Sequence, residues 1–530
     1  MKRFWLCFLL CMLMLNAPLA YGVDEERRTI PIFDINGFKI EGNTLLEKTD
    51  IDAVLAPFTG RQKDFNTVQE SIEALKRAYF NRGFSTVQVV LPEQDLKDGV
   101  IRLVVMETII SSVTIEGNKY FDEKNIRRSI PALREGSAPN LNKISSSLKV
   151  ANENSAKKVL IQLAESDKEK EVKAVLKVAD EKPWKVTLMA DNTGTRDTGE
   201  ARTGVLLQYM NVANLDHIVS LQYTTSPEKI DKVTILGLGY HIPIYTFGDS
   251  LDLYAGYSDV DSGTIYAGTT DISVSGSGAA FGARYNQNFR RFGGYEHKLT
   301  YGLDYRKYRS NATLLSTIDM DTDIVVHPLS LAYSGIFRFA AGQAGMNLSL
   351  TRNIPGGDNG SDDDFKQARS GAPAAYTIFR YGAHFVYALP LDLQVRLLFN
   401  GQFTNDPLVP GEQFGLGGAN SVRGFQEREV SDDIGNSGSI EFYSPDIFNL
   451  MNIHNFRGRM LVFYDAGQVS RVSPLPGEES YTTMSGAGAG VRLGWGKNFN
   501  LTADYGYALG VEGTRAVRNN RFHLTAAFSF

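Results

Sequence analysis

From Trp184 to Phe530 the chain is a succession of short runs in which apolar and polar side chains alternate, the period-two signature of strands with two unlike faces. In Leu299-Thr-Tyr-Gly-Leu-Asp-Tyr305 one face carries Leu299, Tyr301, Leu303 and Tyr305. In Leu391-Asp-Leu-Gln-Val-Arg-Leu397 the other face carries Asp392, Gln394 and Arg396. Sixteen strands are predicted, beginning near Trp184, Arg202, His217, Lys232, Ser250, Ala279, Glu296, Pro328, Gln343, Tyr376, Leu391, Asn436, Asn455, Thr483, Asn498 and Asn519. Connections after odd-numbered strands include the long segments 309–327, 352–375, 406–435 and 470–482, whereas those after even-numbered strands are mostly tight, such as 212–216, 339–342 and Leu389-Pro390. Alternation alone also fits a soluble sandwich. The strand number and the loop asymmetry favour a membrane barrel, apolar outside and polar inside.

Before residue 182 the pattern is different. Phe38-Lys-Ile-Glu-Gly-Asn43 recurs as Val113-Thr-Ile-Glu-Gly-Asn118, an offset of 75 residues, which is the size of a small domain rather than a solenoid repeat. In the first copy a strand is predicted over 33–40 and a short helix over Lys48–Leu55. A longer helix over Phe65–Asn81 carries Val68, Ile72, Leu75 and Tyr79 at helical spacing and is ended by Gly83. Strands over 86–91 and Val100–Met106 complete it. The second copy predicts a strand over 112–116, helices over 123–130 and Leu141–Ala151, and strands over 159–163 and 172–178. This β-α-α-β-β order resembles the polypeptide-transport-associated (POTRA) domain. The resemblance implies that extended substrate segments add to an edge strand, a mode that gives backbone affinity with little sequence demand. By that analogy the partner-binding edges are Val87, Gln88, Val89, Val90 and Leu91 in the first copy, and Val159, Leu160, Ile161, Gln162 and Leu163 in the second.

Composition and charge narrow the class. A net charge of −5 argues against a nucleic-acid binder, which needs a basic face. Residues 1–22 read as a secretory signal peptide, with Lys2 and Arg3 before the apolar stretch 4–15 and small residues Ala20 and Gly22 near the cut. The mature chain then starts at Val23, with a cut after Ala20 as the alternative. Both cysteines, Cys7 and Cys11, lie in this segment, so disulfides, thiol catalysis and cysteine-bound metal are not expected in the mature protein. After residue 22 no apolar run is long enough for a membrane helix. A closed barrel is the other way to span lipid with every backbone group paired.

One stretch carries candidate chemistry. Residues 415–443, GLGGANSVRGFQEREVSDDIGNSGSIEFY, run from a glycine-rich loop into a strand, with Val422-Arg423-Gly424-Phe425 at the centre. Downstream, Phe463-Tyr-Asp465-Ala-Gly467 lies in a strand whose lipid-suited face is Met460, Val462, Tyr464 and Ala466, which turns Arg457, Arg459, Leu461, Phe463 and Asp465 inward. These two motifs resemble those of the outer-membrane polypeptide-transport superfamily. There a long loop folds back into the barrel and its arginine meets a barrel-wall aspartate. The resemblance implies an Arg423–Asp465 latch, with Phe425 packed beside it. The chain ends with Phe522, Leu524, Ala526, Phe528 and Phe530 on one strand face, and in outer-membrane barrels such an ending is an assembly signal, carried here by Phe528 and Phe530.

Other motifs weigh less. The acidic run Asp358-Asn-Gly-Ser-Asp-Asp-Asp364 lacks the glycine and distal glutamate spacing of an EF-hand and reads as a solvated loop. The seven histidines show no His-x-x-x-His pattern, and no Gly-x-Ser-x-Gly or phosphate-binding loop occurs. No cofactor, no metal and no enzyme activity are expected.

Together these features resemble the two-partner secretion transporters, the TpsB family of FhaC/ShlB/HecB type. The fold class expected is a 16-stranded antiparallel transmembrane β-barrel preceded by two small α+β POTRA domains. Its parts are a signal peptide at 1–22, a short linker at 23–32, POTRA-like domains at 33–107 and 108–181, and a barrel at 182–530 with a lumenal loop at 405–435. The resemblance implies a monomer in the outer membrane of a Gram-negative bacterium, in contact with its lipid and built by the barrel assembly machinery. Its partner would be a large, unfolded, secreted exoprotein. Some members carry an N-terminal plug helix, but 23–32 spans only about 15 Å if helical, so no plug is expected. The alternatives left open are a barrel assembly factor of the same superfamily and a passive porin.

Overall fold

The computed structural model describes residues 31–530 apart from 96–97, 169, 261, 268–269, 276, 310, 315–317, 322, 514 and 517–519. The signal peptide expected at 1–22 lies outside the described residues, as does most of the 23–32 linker to which the expectation about a plug helix refers. The chain divides into two compact units. One runs to Asn81 and includes Thr86–Glu107, and the other contains Arg82–Ser85 and Thr108–Phe530.

In the first unit, helices Lys48–Leu55 and Phe65–Asn81 cover a three-stranded sheet in which Val100–Met106 is central. Val68, Ile72, Leu75 and Tyr79 form the buried stripe of the longer helix. The strand expected over 33–40 is broken at Asn36, whose N–H and side chain both donate to the Asp98–Gly99 turn. Phe33–Ile35 therefore pairs with Gly60–Lys63, and only Gly37–Glu41 joins the main sheet. The strand expected over 86–91 is shorter, Gln88–Val90; Pro92 beyond it has no N–H for a ladder.

The second unit opens with strand Ile109–Glu116, helices Glu123–Ser129 and Leu141–Ala151, and strands Lys157–Glu165 and Glu171–Asp180. Glu171–Asp180 is the middle strand of this sheet. The repeated Gly-Asn pairs do the same work in both copies. Gly42 and Gly117 have φ of +82° and +87°, and a Cβ there would strike the Val105 and Val178 carbonyls. Asn43 and Asn118 each close the following turn by donating to a carbonyl three residues on.

The barrel strands are β1 Trp184–Asp191, β2 Arg202–Val212, β3 His217–Thr225, β4 Ile235–Ile244, β5 Asp249–Ser258, β6 Gly278–Asn288, β7 Tyr295–Tyr308 and β8 Pro328–Phe339. They continue as β9 Gly342–Asn353, β10 Thr377–Ala388, β11 Gln394–Phe403, β12 Ile434–Tyr443, β13 Phe456–Ser470, β14 Tyr481–Trp495, β15 Phe499–Glu512 and β16 Arg521–Ser529. All neighbours are antiparallel, a short strand Ile324–Val326 extends β8 along β7, and β16 closes on β1 through the register Thr525↔Asp191 to Ser529↔Thr187. Outside the barrel lie Leu207, Tyr209, Leu221, Tyr223, Met460, Val462 and Tyr464, all exposed, while Gln222, Asp252, Asp304, Glu441, Asp465 and Asp504 are buried inside. No helix among the described residues is long and apolar enough to cross a membrane.

Two strand starts need correction. Lys232 ends a 3-10 turn, Ile230–Lys232, and β4 begins only at Ile235. Residues 390–392 form a 3-10 turn in which Leu391 and Asp392 take φ of 62° and 59°, so the alternation read from Leu391 begins at Gln394. In the acidic run, Ser361 and Asp364 form a capping box at the start of helix Asp362–Ala368, and the Asp362 carboxylate accepts from the Ala374 N–H.

Candidate functional site

The connection between β11 and β12 turns back into the barrel. Phe414–Leu416 and Val430–Asp432 pair as a small antiparallel hairpin, which brings the segment between them against the wall made by β13, β14 and β15. Apolar contacts hold its shape: Leu416, Val422, Phe425 and Val430 pack with Val469, Met484 and Ala508 in one buried cluster. Leu416 lies against Gly467, where a Cβ would strike its Cδ1.

Arginines clamp the two roots of the loop. Glu412 accepts from Arg306 at 3.0 Å, Arg380 at 3.2 Å and the Tyr308 hydroxyl at 2.7 Å. Asp432 accepts from Arg471 at 3.1 Å and from both terminal nitrogens of Arg515. Asp433 takes a two-pronged bond from Arg369 and also accepts the N–H groups of Leu408 and Val472. All three carboxylates are buried.

At the tip, Arg423 is 3% exposed. Its Nε and Nη2 donate to the two Asp465 oxygens at 2.7 and 2.8 Å, and its own backbone N–H adds a third bond to Asp465 at 3.0 Å. Such a fork-to-carboxylate arrangement fixes orientation as well as distance. Nη2 also donates to Ser439 Oγ at 3.1 Å, and Nη1 lies 2.8 Å from Glu441 Oε1 and 3.3 Å from Asp504 Oδ2. Arg492 donates twice to Asp504, at 2.6 and 2.9 Å, and Arg396 stands 3.8 Å from Glu441. Three guanidinium groups thus balance three carboxylates. The Phe463 ring lies flat beneath Arg423, 3.4 Å from Cζ to the ring centre, a cation–π contact that replaces water on that side.

The wall is shaped for this contact. Gly424 has φ of +98°, its N–H donates to His523 Nε2 at 3.2 Å, and its Cα runs against the β15 backbone at Gly506. A Cβ at Gly506 would strike Gly424 N, and one at Gly486 would strike Arg423 O. Glycine is needed on both sides because two backbones approach without room for a side chain. Gly506→Val should unseat the tip while leaving the barrel ladder intact. The expected result is a several-fold rise in single-channel open probability in planar bilayers, with unchanged heat-modifiable migration of the barrel; unchanged gating would contradict the fit.

The structure brings Val422, Arg423, Gly424, Phe425, Phe463, Asp465 and Gly467 together at this wall. Phe528 and Phe530 are elsewhere, on the outer face beside Trp495 and Phe499. Of the edge residues, Gln88, Val89 and Val90 form an outer strand of the first sheet, whereas Val87 and Leu91 flank it. Val159 to Leu163 lie in the outer strand Lys157–Glu165 of the second sheet. There the Val159 N–H donates to Asn152 Oδ1 at 2.7 Å and its carbonyl accepts from Asn152 Nδ2 at 3.0 Å. The carboxamide thus takes the place of a neighbouring strand at Val159. By the period of two, the next outward-pointing backbone groups are those of Ile161 and Leu163.

Sequence reasoning paired Arg423 with Asp465 alone and missed Glu441, Asp504, Arg492 and Arg396. Their signal was parity: each is the polar member of an alternating run that faces the lumen. The glycines of Ser485-Gly-Ala-Gly-Ala-Gly490 were a second unread signal, since every other position is bare on the face the loop meets.

Comparison with known proteins places this geometry. The family of haemolysin secretion/activation proteins ShlB/FhaC/HecB matches residues 171–493, and the ShlB-type POTRA domain matches residues 33–108. The chain belongs to this family. The outer membrane transporter CdiB of Escherichia coli O6:K15:H31 (strain 536 / UPEC) is 24% identical over 422 residues, covering 77% of this chain and 68% of that protein. A CdiB of Escherichia coli is 24% identical over 473 residues, 87% of this chain and 76% of its own. The solved structure of CdiB from Escherichia coli superposes with a TM-score of 0.76 at 22% identity, covering 97% of this chain and 94% of that one. The protein is accordingly an outer-membrane β-barrel of the two-partner secretion type with POTRA domains in the periplasm, and its family consists of transporters.

Proposed function

We propose that this barrel moves one large, unfolded exoprotein from the periplasm to the cell surface or medium, and that it has no enzymatic activity. The observation that carries the reading is a lumen lined with polar side chains and occupied by a returning loop, below which the second POTRA domain offers an outer strand. An extended segment of the partner would add to that edge. The row of backbone groups available there begins at Ile161, because Asn152 already fills the position at Val159; in the first domain the corresponding edge is Gln88–Val90. The Arg423–Asp465 pair and its neighbours act as a latch that seats the loop and releases it for passage. Their contacts are polar and can be exchanged for water as the loop leaves. No nucleotide is available outside the inner membrane, so folding of the partner beyond the barrel supplies the direction. The transporter works as a monomer, and Phe528 and Phe530 present the assembly signal to the barrel assembly machinery.

The test is fractionation of cells with and without the protein, following large proteins in medium and periplasm. Loss of one large protein from the medium, with other barrels at normal level, is the expected result. A general fall in outer-membrane barrels would favour an assembly factor instead, and no change in either would leave a porin.

A further inference from the structure

A second ionic site lies at the periplasmic end, within the unit that joins the second POTRA domain to the barrel. Lys157, the first residue of the outer strand, has a fully buried side chain whose Nζ donates to Asp216 Oδ2 at 2.5 Å and to Asn125 Oδ1 at 2.9 Å. Asp216 belongs to the turn between β2 and β3 and is 2% exposed. It also accepts the Tyr245 hydroxyl, from the turn after β4, at 2.5 Å and the Asn125 carboxamide at 2.9 Å. Asn125 and Arg128 further bond the Asn214 carbonyl, at 3.0 and 2.9 Å, and Asn154 bonds the Met210 carbonyl at 2.7 Å.

Two other features mark this as a built joint. The turn is held in an unfavourable shape: Ala213, Asn214 and Asp216 take φ of 53°, 60° and 62°, which strains residues that carry a Cβ. Met210 and Ile218, on the strands flanking that turn, are buried in the same cluster as Ile126, Val159 and Leu176 of the domain core. A charge pair with this little water is weak as a source of stability, but removal of one partner leaves the other stranded. Burial pushes the Lys157 ammonium below its ordinary pKa and the Tyr245 phenol well above its own, the direction expected where water is excluded.

We propose that Lys157 and Asp216 lock the second POTRA domain to the barrel as one rigid body, and that export requires the domain to stay docked. The pair fixes the start of the outer strand at the barrel mouth, so a segment captured along Ile161–Leu163 lies at a set distance from the pore. This second clause rests on the exporter reading above; the docking clause does not.

The experiment uses the full chain in outer membranes, spin-labelled at Glu165→Cys and Leu450→Cys, both at exposed positions. Pulsed dipolar spectroscopy should give a narrow distance distribution for the otherwise unaltered protein. Lys157→Met should broaden it and lower export of the partner about tenfold, with the barrel still heat-modifiable. Lys157→Met with Asp216→Asn removes both charges and should restore both readings. If Lys157→Met does not assemble, Tyr245→Phe, which removes a single bond to Asp216, should show the same changes at smaller amplitude. A distribution that stays narrow in these single variants would overturn the lock, and a broadened one with full export would overturn its role in transport. If the unaltered protein exports nothing, the exporter reading fails while the distance measurement still decides the docking.

Discussion

Arg423→Ala is expected to leave the barrel assembled and to reduce export of the partner by about two orders of magnitude or more. The change removes one of three guanidinium groups from a buried cluster and leaves Asp465 without its two-pronged partner. Breaking a buried ion pair from one side costs about 3–5 kcal/mol, which corresponds to a hundred- to several-thousand-fold change in the ratio of seated to unseated loop; on the latch reading export falls because each round of passage starts from the seated loop and ends by restoring it. The barrel strands keep their ladder because Arg423 belongs to the loop, and the root clamps at Glu412, Asp432 and Asp433 remain. Asp465→Asn should have a smaller effect, since the amide oxygen still accepts one bond. Export is read as partner in the medium per heat-modifiable barrel. A loss of assembled barrel with normal export per surviving molecule would make Arg423 a folding residue rather than a latch.

Ile161→Pro carries the second large effect. In the outer strand of the second POTRA domain the Ile161 N–H points away from the sheet, as the Asn152 bonds to Val159 establish by parity. Proline there removes a donor that the native sheet does not use, and proline is tolerated on an edge strand for that reason. An incoming strand would lose that bond and meet the ring instead. Partner binding to the periplasmic domains, measured by titration of the purified full-length protein with the partner's N-terminal segment, should fall at least tenfold without change in barrel yield. Leu160→Pro is the contrast: its N–H faces Glu171–Asp180, so it should damage the domain itself. Equal binding by Ile161→Pro and the unsubstituted protein would remove this edge from the capture mechanism.

Much of the architecture was legible because lipid and lumen impose opposite demands on neighbouring residues. β13 could be oriented from Met460, Val462 and Tyr464 alone, and the structure leaves these exposed while burying Leu461, Phe463 and Asp465. Helices Lys48–Leu55, Phe65–Asn81 and Leu141–Ala151 were equally plain, since each carries an apolar stripe at helical spacing. Where local and long-range terms compete, the reading fell short. Leu391 continues an alternating pattern but sits in a turn set by Pro390, and Asn36 interrupts a good strand through bonds to residues more than sixty positions away. The charge cluster was half visible: Arg423 and Asp465 stand in recognisable motifs, whereas Asp504 and Arg492 reach the same point from β15 and β14, a neighbourhood created by the register of three adjacent strands and the loop that returns to them. Lys157 was hidden most completely. In sequence it is one of two lysines at the start of a strand, and only the turn of another domain makes it a buried charge.

The central claim is that the partner passes through the lumen past the Arg423 cluster. Thr502 lines the cavity beside Arg423, and Tyr505 on the same strand is exposed on the outer face. A photo-crosslinking residue placed at each position, with a partner chain stalled by a disulfide-closed domain fused to its C-terminal part, measures the path directly. The account predicts an adduct of partner and barrel from Thr502 and none from Tyr505. Export that continues with no adduct from Thr502, or adducts from Tyr505 alone, would contradict it.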